Sequence, residues 1–258
     1  MSWLLAILLG TLVGLSLGLV GGGGSILTVP ALIYGLGLAP RDAIAASLAL
    51  VGAIAAVGAA GHMRHGTVRF GIALRFGLAG IVGTQVGSRL SRLVSEPLLL
   101  SLFALVMMAA AFSLARRDAQ RGRTPDAPAP TPGRVSWLKL GLAGLGVGFL
   151  TGLFGVGGGF VIVPALGLVV GLPTREAVAT SLVVITINCA TALAGHLGQG
   201  GQFPLWLLAA FAAAGFAGSS AGARLAHRWS ERTLSRLFAL LVAGVAIYLL
   251  IKNRFGMG

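Results

Sequence analysis

The chain has 258 residues, of which 56% are hydrophobic and only 10% are charged, and its mean hydropathy is +0.94. Soluble domains carry about 25% charged residues, so this composition excludes a water-soluble globular fold. A net charge of +13 would suit nucleic-acid binding. The Lys and Arg residues, however, fall in loops and at segment ends rather than on an amphipathic face. That distribution favours membrane topology and contact with membrane lipid, with no nucleic acid as a partner.

Apolar segments follow one another in chain order and fall into two sets of five. The first set covers residues 3–20, 26–38, 43–60, 69–88 and 97–115, and the second covers 137–154, 159–171, 175–195, 204–223 and 233–251. Runs of about 18 apolar residues suffice to cross a bilayer. The second segment of each set is too short for a full crossing. It is a half-helix, a re-entrant element or a short tilted span.

The second set of segments repeats the first at a constant offset of 134 residues. Glycines, prolines and charges keep their places, which excludes chance similarity between apolar stretches. The matches include Gly10-Gly14-Gly18 with Gly144-Gly148-Gly152, Val29-Pro30-Ala31-Leu32 with Val163-Pro164-Ala165-Leu166 and, one inserted residue later, Arg89-Leu90 with Arg224-Leu225. The sequence therefore predicts a first membrane repeat at 1–115, a hydrophilic linker at 116–135 and a second membrane repeat at 136–258.

The predicted fold class is an all-α integral membrane protein with two homologous repeats. Between Arg116 and Arg134 the linker holds five Arg, two Asp and four Pro, and this basic excess places it on the cytoplasmic side. If the short second segments cross the membrane, each repeat has an odd number of spans and the copies are inverted, as the other loop charges favour. If those segments enter the membrane without crossing it, the repeats are parallel.

Two Gly-rich junctions interrupt the hydrophobic runs at matching positions, ahead of Pro30 and Pro164. Consecutive glycines unwind a helix, and unwound backbone at membrane depth is tolerated only where it lines a cavity or is buried in protein. Such paired breaks indicate a transporter's substrate site, whose exposed amides would bind a small anion. Tight helix packing is the alternative. The candidate positions are Gly21, Gly22, Gly23, Gly24, Ser25, Gly155, Gly157, Gly158 and Gly159.

Polar side chains inside the third segments are further candidates for substrate binding. They could hydrogen-bond a substrate or only a neighbouring helix. Ala46 takes the place of Thr180 in the first copy, and Ile54 takes the place of Asn188. Any site would therefore be chemically unequal, with the second half more polar. The candidates are Ser47, Thr180, Ser181 and Asn188.

Four titratable side chains near the ends of the third segments are candidates for proton coupling: His62, His196, Asp42 and Glu176. Histidine titrates near neutrality, so His62 and His196 could carry a coupled proton. Capping or interfacial histidines are the alternative. Asp42 and Glu176 open their segments, where the helix dipole favours an acidic residue whether or not it relays protons.

The remaining chemistry-bearing residues give no pattern typical of an enzyme. The sequence lacks a metal-spaced His/Cys cluster and a spaced nucleophile–base pair, so neither a metal nor a cofactor is predicted. The single Cys189 excludes a disulfide within one chain. Small-residue faces serve contacts within or between chains equally well, which leaves a homo-oligomer open.

The repeated pattern of a Gly-rich cluster, Val-Pro-Ala-Leu, Arg-acidic-Ala and then Ser-Leu resembles the TauE/SafE family of sulfite exporter-like permeases. The likeness covers both halves and excludes the linker. It implies transport of sulfite or small organosulfonates across the bacterial cytoplasmic membrane. By this likeness the motif positions are Gly21 to Ser25 with Pro30, and Gly155 to Gly159 with Pro164.

The residues and the resemblance together predict a transporter, and more specifically an exporter, of a small anion such as sulfite or a related organosulfur anion. Transport would occur by alternating access at a site between the two Gly-rich breaks. A passive anion channel and a non-transporting membrane scaffold are the alternatives. A channel needs a continuous polar pathway, whereas a scaffold would not need Gly-rich breaks at matched sites.

Overall fold

The fold is taken from a computed structural model that describes residues 2–20, 25–64, 66–121, 137–197, 205–226, 240, 242–249 and 251. Nearly all of these residues are helical, and no strand occurs among them. The all-α fold class is confirmed for this part of the chain.

The helix bounds follow the predicted segments closely. In chain order the helices are α1 (Ser2–Val20), α2 (Thr28–Pro30, continued by the π-helix Ala31–Gly35), α3 (Pro40–Arg64), α4 (Phe70–Leu93), α5 (Glu96–Arg121), α6 (Trp137–Phe154), α7 (Gly159–Ala165, continued by the π-helix Leu166–Val170), α8 (Thr174–Leu197) and α9 (Leu205–Ala226). Residues 242–249 form a further helix, α10. Helix α5 ends at Arg121, six residues beyond the predicted segment, so it enters the predicted linker.

Several helices are long and apolar enough to cross a membrane. Within the described residues these spans are Pro40–Arg64, Phe70–Leu93, Trp137–Phe154 and Glu176–His196. Many large apolar side chains point outward, such as Leu74, Leu78 and Leu142, each more than half exposed. Such a surface suits lipid rather than water. The protein is therefore a multi-pass membrane protein.

Two long helix pairs pack through glycine. In the first pair, α1 lies on α9, and a Cβ placed at Gly14 would collide with the backbone of Gly215. In the second pair, α6 lies on α4, and a Cβ placed at Gly148 would collide with the backbone of Gly80. Only glycine allows so close an approach, because it has no Cβ. Such close packing stabilises helix pairs in lipid, where no hydrophobic force drives them together. Gly10 makes a similar contact in the first pair, since a Cβ placed there would lie 2.6 Å from the carbonyl oxygen of Phe211.

These two pairs correspond to each other under the predicted repeat. Helix α6 is the counterpart of α1, and α4 is the counterpart of α9. The contact of Gly10 with Phe211 corresponds to that of Gly144 with Phe76, whose carbonyl also faces the glycine. Each pair thus joins the first helix of one copy to the fourth segment of the other.

Helices α3 and α8, which are also counterparts, pack on each other in the middle of the molecule. Gly52 lies beside Cys189, whereas Gly58, further along α3, lies beside Leu182, which comes earlier in α8. The two helices are therefore antiparallel. Helix α4 runs parallel to α8, because Gly77 faces Ile187 and the later residue Gly80 faces Asn188.

Candidate functional site

The second Gly-rich junction breaks the helix as the sequence predicts. Helix α6 ends at Phe154, and α7 begins at Gly159. Between them Gly155, Gly157 and Gly158 have φ angles of 70°, 69° and 70°. This left-handed conformation is favourable only for glycine, which explains why the junction needs several of them. The corresponding positions of the first junction, Gly21 to Gly24, lie outside the described residues.

The break is buried between the two central helices. A Cβ placed at Gly155 would lie 2.6 Å from Ile44 Cγ2 of α3, and one placed at Gly157 would lie 2.6 Å from Val51 Cγ1 of the same helix. On its other side, Gly157 lies against Cys189 and Ile185 of α8. Unwound backbone is thus held inside protein rather than exposed to lipid, which is the condition for a helix break at membrane depth.

Ser47 lies on the face of α3 that covers this break. It is three residues after Ile44 and four before Val51, spacings that share one helix face. The side chain is fully buried, and its Oγ has no hydrogen-bond partner among the described residues. A buried hydroxyl without a partner costs free energy. Ser47 and the Gly155–Gly159 break are the predicted site residues that the structure brings together.

Asn188 is the second buried group without a partner. Neither its Oδ1 nor its Nδ2 makes a hydrogen bond to a described residue, although its side chain is fully buried. It neighbours Cys189, at the depth of the break, and its amide faces Gly80 of α4. An amide offers two donors and an acceptor, so this position can bind a polar ligand.

Thr28 is a third such group, and the sequence analysis missed it. Its Oγ1 is buried and unpartnered within the described part of the chain. It lies in α2, directly after the short 3₁₀ turn that contains the buried Ser25. The signal available in the sequence was a lone hydroxyl between the first junction and Pro30.

The other two predicted binding residues lie elsewhere. Thr180 Oγ1 accepts a hydrogen bond from the Arg69 backbone N–H at 3.1 Å, and Ser181 Oγ donates to the Val178 carbonyl at 2.7 Å. Because α3 and α8 are antiparallel, Ser181 and Ser47 lie towards opposite ends of this helix pair. From the register at Gly52 and Cys189, the two serines are about 20 Å apart along the helix axes.

The two predicted histidines have different environments. His196 is buried, with 5% exposure, and its Nε2 lies 3.0 Å from the Gly152 carbonyl in the last turn of α6. His62 is only half-buried, and its Nδ1 lies 3.3 Å from Thr67 Oγ1 beyond the end of α3. His196 therefore contacts the helix that leads into the break, whereas His62 bonds locally.

The two predicted acidic residues also differ. Glu176 accepts two hydrogen bonds from Arg69, at 2.7 Å from Nε and 3.1 Å from Nη2. This fork joins the start of α8 to the residue that precedes α4. The hydrogen bond to Glu176 and the carboxylate charge raise the pKa of the Arg69 guanidinium above its ordinary value. Asp42, the counterpart of Glu176, has no basic group within 4.0 Å among the described residues.

Nearly the whole chain matches a known protein family. Residues 6–249 match the family model described as sulfite exporter TauE/SafE. The chain belongs to the TauE/SafE family. The resemblance stated from the repeated motif is confirmed, and the protein is a membrane transporter.

Curated relatives agree with this membership over nearly the whole chain. A probable membrane transporter protein of Xylella fastidiosa is 36% identical over 95% of this chain and 93% of its own length. Bacillus subtilis YunE, also a probable membrane transporter protein, is 28% identical over 99% of this chain and 100% of its own. A probable membrane transporter protein of Methanocaldococcus jannaschii is 27% identical over 75% of this chain and 72% of its own. No solved structure matches the chain significantly.

Proposed function

We propose that this TauE/SafE protein carries a small anion, sulfite or a related organosulfur anion, across the bacterial cytoplasmic membrane, and that it acts as an exporter. The observation that carries the proposal is the buried break at Gly155–Gly159. At its level, Ser47 and Asn188 have no hydrogen-bond partner among the residues that the structure describes. Buried polar groups are normally hydrogen-bonded. Polar groups without a protein partner at a helix break can form hydrogen bonds to a bound substrate instead.

The chemistry of this centre favours an anion that is bound by neutral donors. The break starts a helix, where backbone N–H groups and the helix dipole attract negative charge. Ser47 adds a hydroxyl donor and Asn188 an amide donor. The surrounding side chains of Ile44, Val51 and Ile185 are apolar, so these hydrogen bonds would form in a poorly solvated place and gain strength.

The proposed mechanism is alternating access by two inverted repeats. The antiparallel packing of α3 on its counterpart α8 supports inversion. Inverted repeats exchange roles when one rocks against the other around a site near the midplane. We place the linker on the cytoplasmic side, because it carries the largest excess of basic residues.

Close packing at the centre favours a carrier over the two alternative functions. Cβ positions at Gly155 and Gly157 are already in contact with α3, whereas a passive channel needs a continuous open path. A non-transporting scaffold would have no use for unpartnered buried polar groups beside a helix break.

Asn188→Leu tests the site, because it separates binding from folding. It removes an unpartnered buried amide, so the melting temperature should stay the same or rise. The measurement is sulfite flux in proteoliposomes, with and without a pH gradient. The variant should require at least about tenfold more sulfite than the unaltered protein to reach half of its maximal rate. Ile54→Leu, at the matching position of the first copy, should change neither quantity.

Two results would overturn the proposal at different levels. Unchanged sulfite kinetics in a well-folded Asn188→Leu protein would remove Asn188 from the site. If the unaltered protein moved none of sulfite, thiosulfate and a panel of organosulfonates, the proposed substrate class would be wrong. Saturable flux that responds to the gradient would establish a proton-coupled carrier and direct attention to His196.

A further inference from the structure

A second polar feature lies on the outer surface, away from the break. A cleft of about 390 Å³ opens between the beginnings of α4 and α6, lined by Arg75, Trp137, Leu140 and Gly141. Arg75 lies over the Trp137 ring, with its guanidinium carbon 3.8 Å from the ring centroid. A guanidinium on an indole face is a cation–π contact, which fixes the cation without neutralising it.

The charge of Arg75 is not balanced by protein in the described part of the chain. No carboxylate among those residues lies within 4.0 Å of it, because the ion pairs found there are Arg41–Glu96 and Arg69–Glu176. The side chain is exposed. An uncompensated cation in a membrane-spanning helix is costly unless it meets water, a headgroup or a partner.

The surroundings of the cleft place it at the edge of the bilayer. Arg75 is five residues into α4, about 7 Å along the helix, and Trp137 is the first residue of α6. Leu74 and Leu78 flank Arg75 and are 55% and 54% exposed, while Leu142 beside the cleft is 62% exposed. Tryptophan concentrates at the membrane–water interface, and long basic side chains reach the phosphate level from just inside it.

We propose that this cleft, the Arg75 cleft, binds an anionic phospholipid, with the headgroup phosphate on the Arg75 guanidinium. The planar guanidinium can bond two phosphate oxygens at once. Trp137 forms one wall, and an acyl chain lies along the exposed leucines of α4 and α6. A soluble anion has no use for those leucines, which is why the occupant is a lipid rather than the transported solute.

Gly141 keeps the cleft open. A Cβ placed there would meet no atom within 4 Å, in contrast to Gly144 and Gly148 on the packed face of the same helix. A larger side chain at 141 would therefore occupy the cleft without disturbing the protein. Under the predicted repeat, Arg75 corresponds to Ala210, so the matching position in the second repeat lacks the arginine.

The test is native mass spectrometry of the purified full-length protein titrated with dioleoylphosphatidylglycerol or dioleoylphosphatidylcholine. Arg75→Ala should weaken phosphatidylglycerol binding roughly five- to tenfold, and Arg75→Lys should weaken it less. Gly141→Leu should reduce binding with the charge intact. Arg89→Ala is the matched control, since Arg89 is an exposed arginine at the other end of α4, and it should leave the high-affinity lipid in place.

Several outcomes would overturn the inference. Equal losses in Arg75→Ala and Arg89→Ala would indicate a general effect of net charge. Equal affinity for the two lipids would indicate an apolar cleft without phosphate recognition. Displacement of bound lipid by millimolar inorganic phosphate would indicate a site for soluble anions. A loss of lipid binding confined to variants whose melting temperature also falls would indicate misfolding rather than a lost phosphate contact.

Discussion

The two central helices are held against their neighbours by different chemistry. Helix α8 meets α4 through hydrogen bonds: Thr84 Oγ1 lies 3.1 Å from Thr191 Oγ1, and Gln85 Nε2 donates to the Thr191 carbonyl at 3.0 Å. Further along, Arg92 Nη2 donates to the Gly195 carbonyl. This α4–α8 interface is a polar seam that runs through several turns.

Helix α3 meets α9 through apolar contact. Ile54, which takes the place of Asn188, faces Gly215, the counterpart of Gly80. Val57 takes the place of Thr191. Hydrogen bonds fix one register, whereas apolar surfaces in lipid can slide with little loss. Under the proposed alternating access, we expect the α3–α9 interface to move before the α4–α8 interface.

The largest expected difference is in stability, when one methyl group is added at a glycine in each of the two interfaces. In Gly80→Ala the new Cβ would collide with the Asn188 amide, whose Nδ2 lies 2.9 Å from that position. In Gly215→Ala it would meet Ile54 Cδ1 at 3.0 Å, the end of a flexible side chain. Overpacking should cost Gly80→Ala about 1–3 kcal/mol and Gly215→Ala less than about 1 kcal/mol. Equal melting temperatures for the two variants would contradict the comparison.

A smaller effect is expected at the start of α8. Glu176→Gln removes the negative charge that holds Arg69, so the first turn of α8 should separate from the start of α4 more often. Hydrogen exchange at the Arg69 backbone N–H reports this separation, because that group donates to Thr180 Oγ1 at 3.1 Å. Its exchange should accelerate by up to about fivefold, as suits an exposed ion pair. Asp42→Asn is the control, and an equal acceleration there would remove the ion pair's role.

The smallest effect is expected within the polar seam itself. Thr191→Val removes the hydroxyl contact with Thr84, yet each hydroxyl also has a carbonyl acceptor within its own helix. The loss should be about 0.6–1 kcal/mol, near the average for hydrogen bonds between membrane helices. Thr186→Val breaks only a bond to the Leu182 carbonyl of the same helix, so its melting temperature should change less. The reverse order would show that the seam contributes little.

Much of this architecture could be predicted from the sequence, because hydropathy and glycine act locally. Segment bounds, the short α2 and α7 and the break after Phe154 all follow from apolar length and Gly clusters. A row of glycines along one helix face also predicts a close helix contact, as at Gly14. It does not predict which helix makes the contact, since any helix with a small-residue face can pack there.

Contacts between distant residues could not be predicted in this way. Arg69 and Glu176 are 107 positions apart, and nothing local in either motif indicates the other. The same holds for Arg75 with Trp137 and for His196 with Gly152. Ser47 and Ser181 are equivalent in sequence, yet the antiparallel helices place them near opposite ends. These contacts depend on how the helices align in the folded protein, which the local sequence does not specify.

The pairing of α1 with α9 has a consequence for how the protein is made. The glycine surface of α1 enters the membrane early, but its partner at Phe211 follows about 200 residues later. At about 5–20 residues per second, the ribosome needs roughly 10–40 seconds to supply it. During that interval α1 lies in the bilayer without α9 on its glycine surface. The packing of α1 is therefore completed only after α9 has been translated.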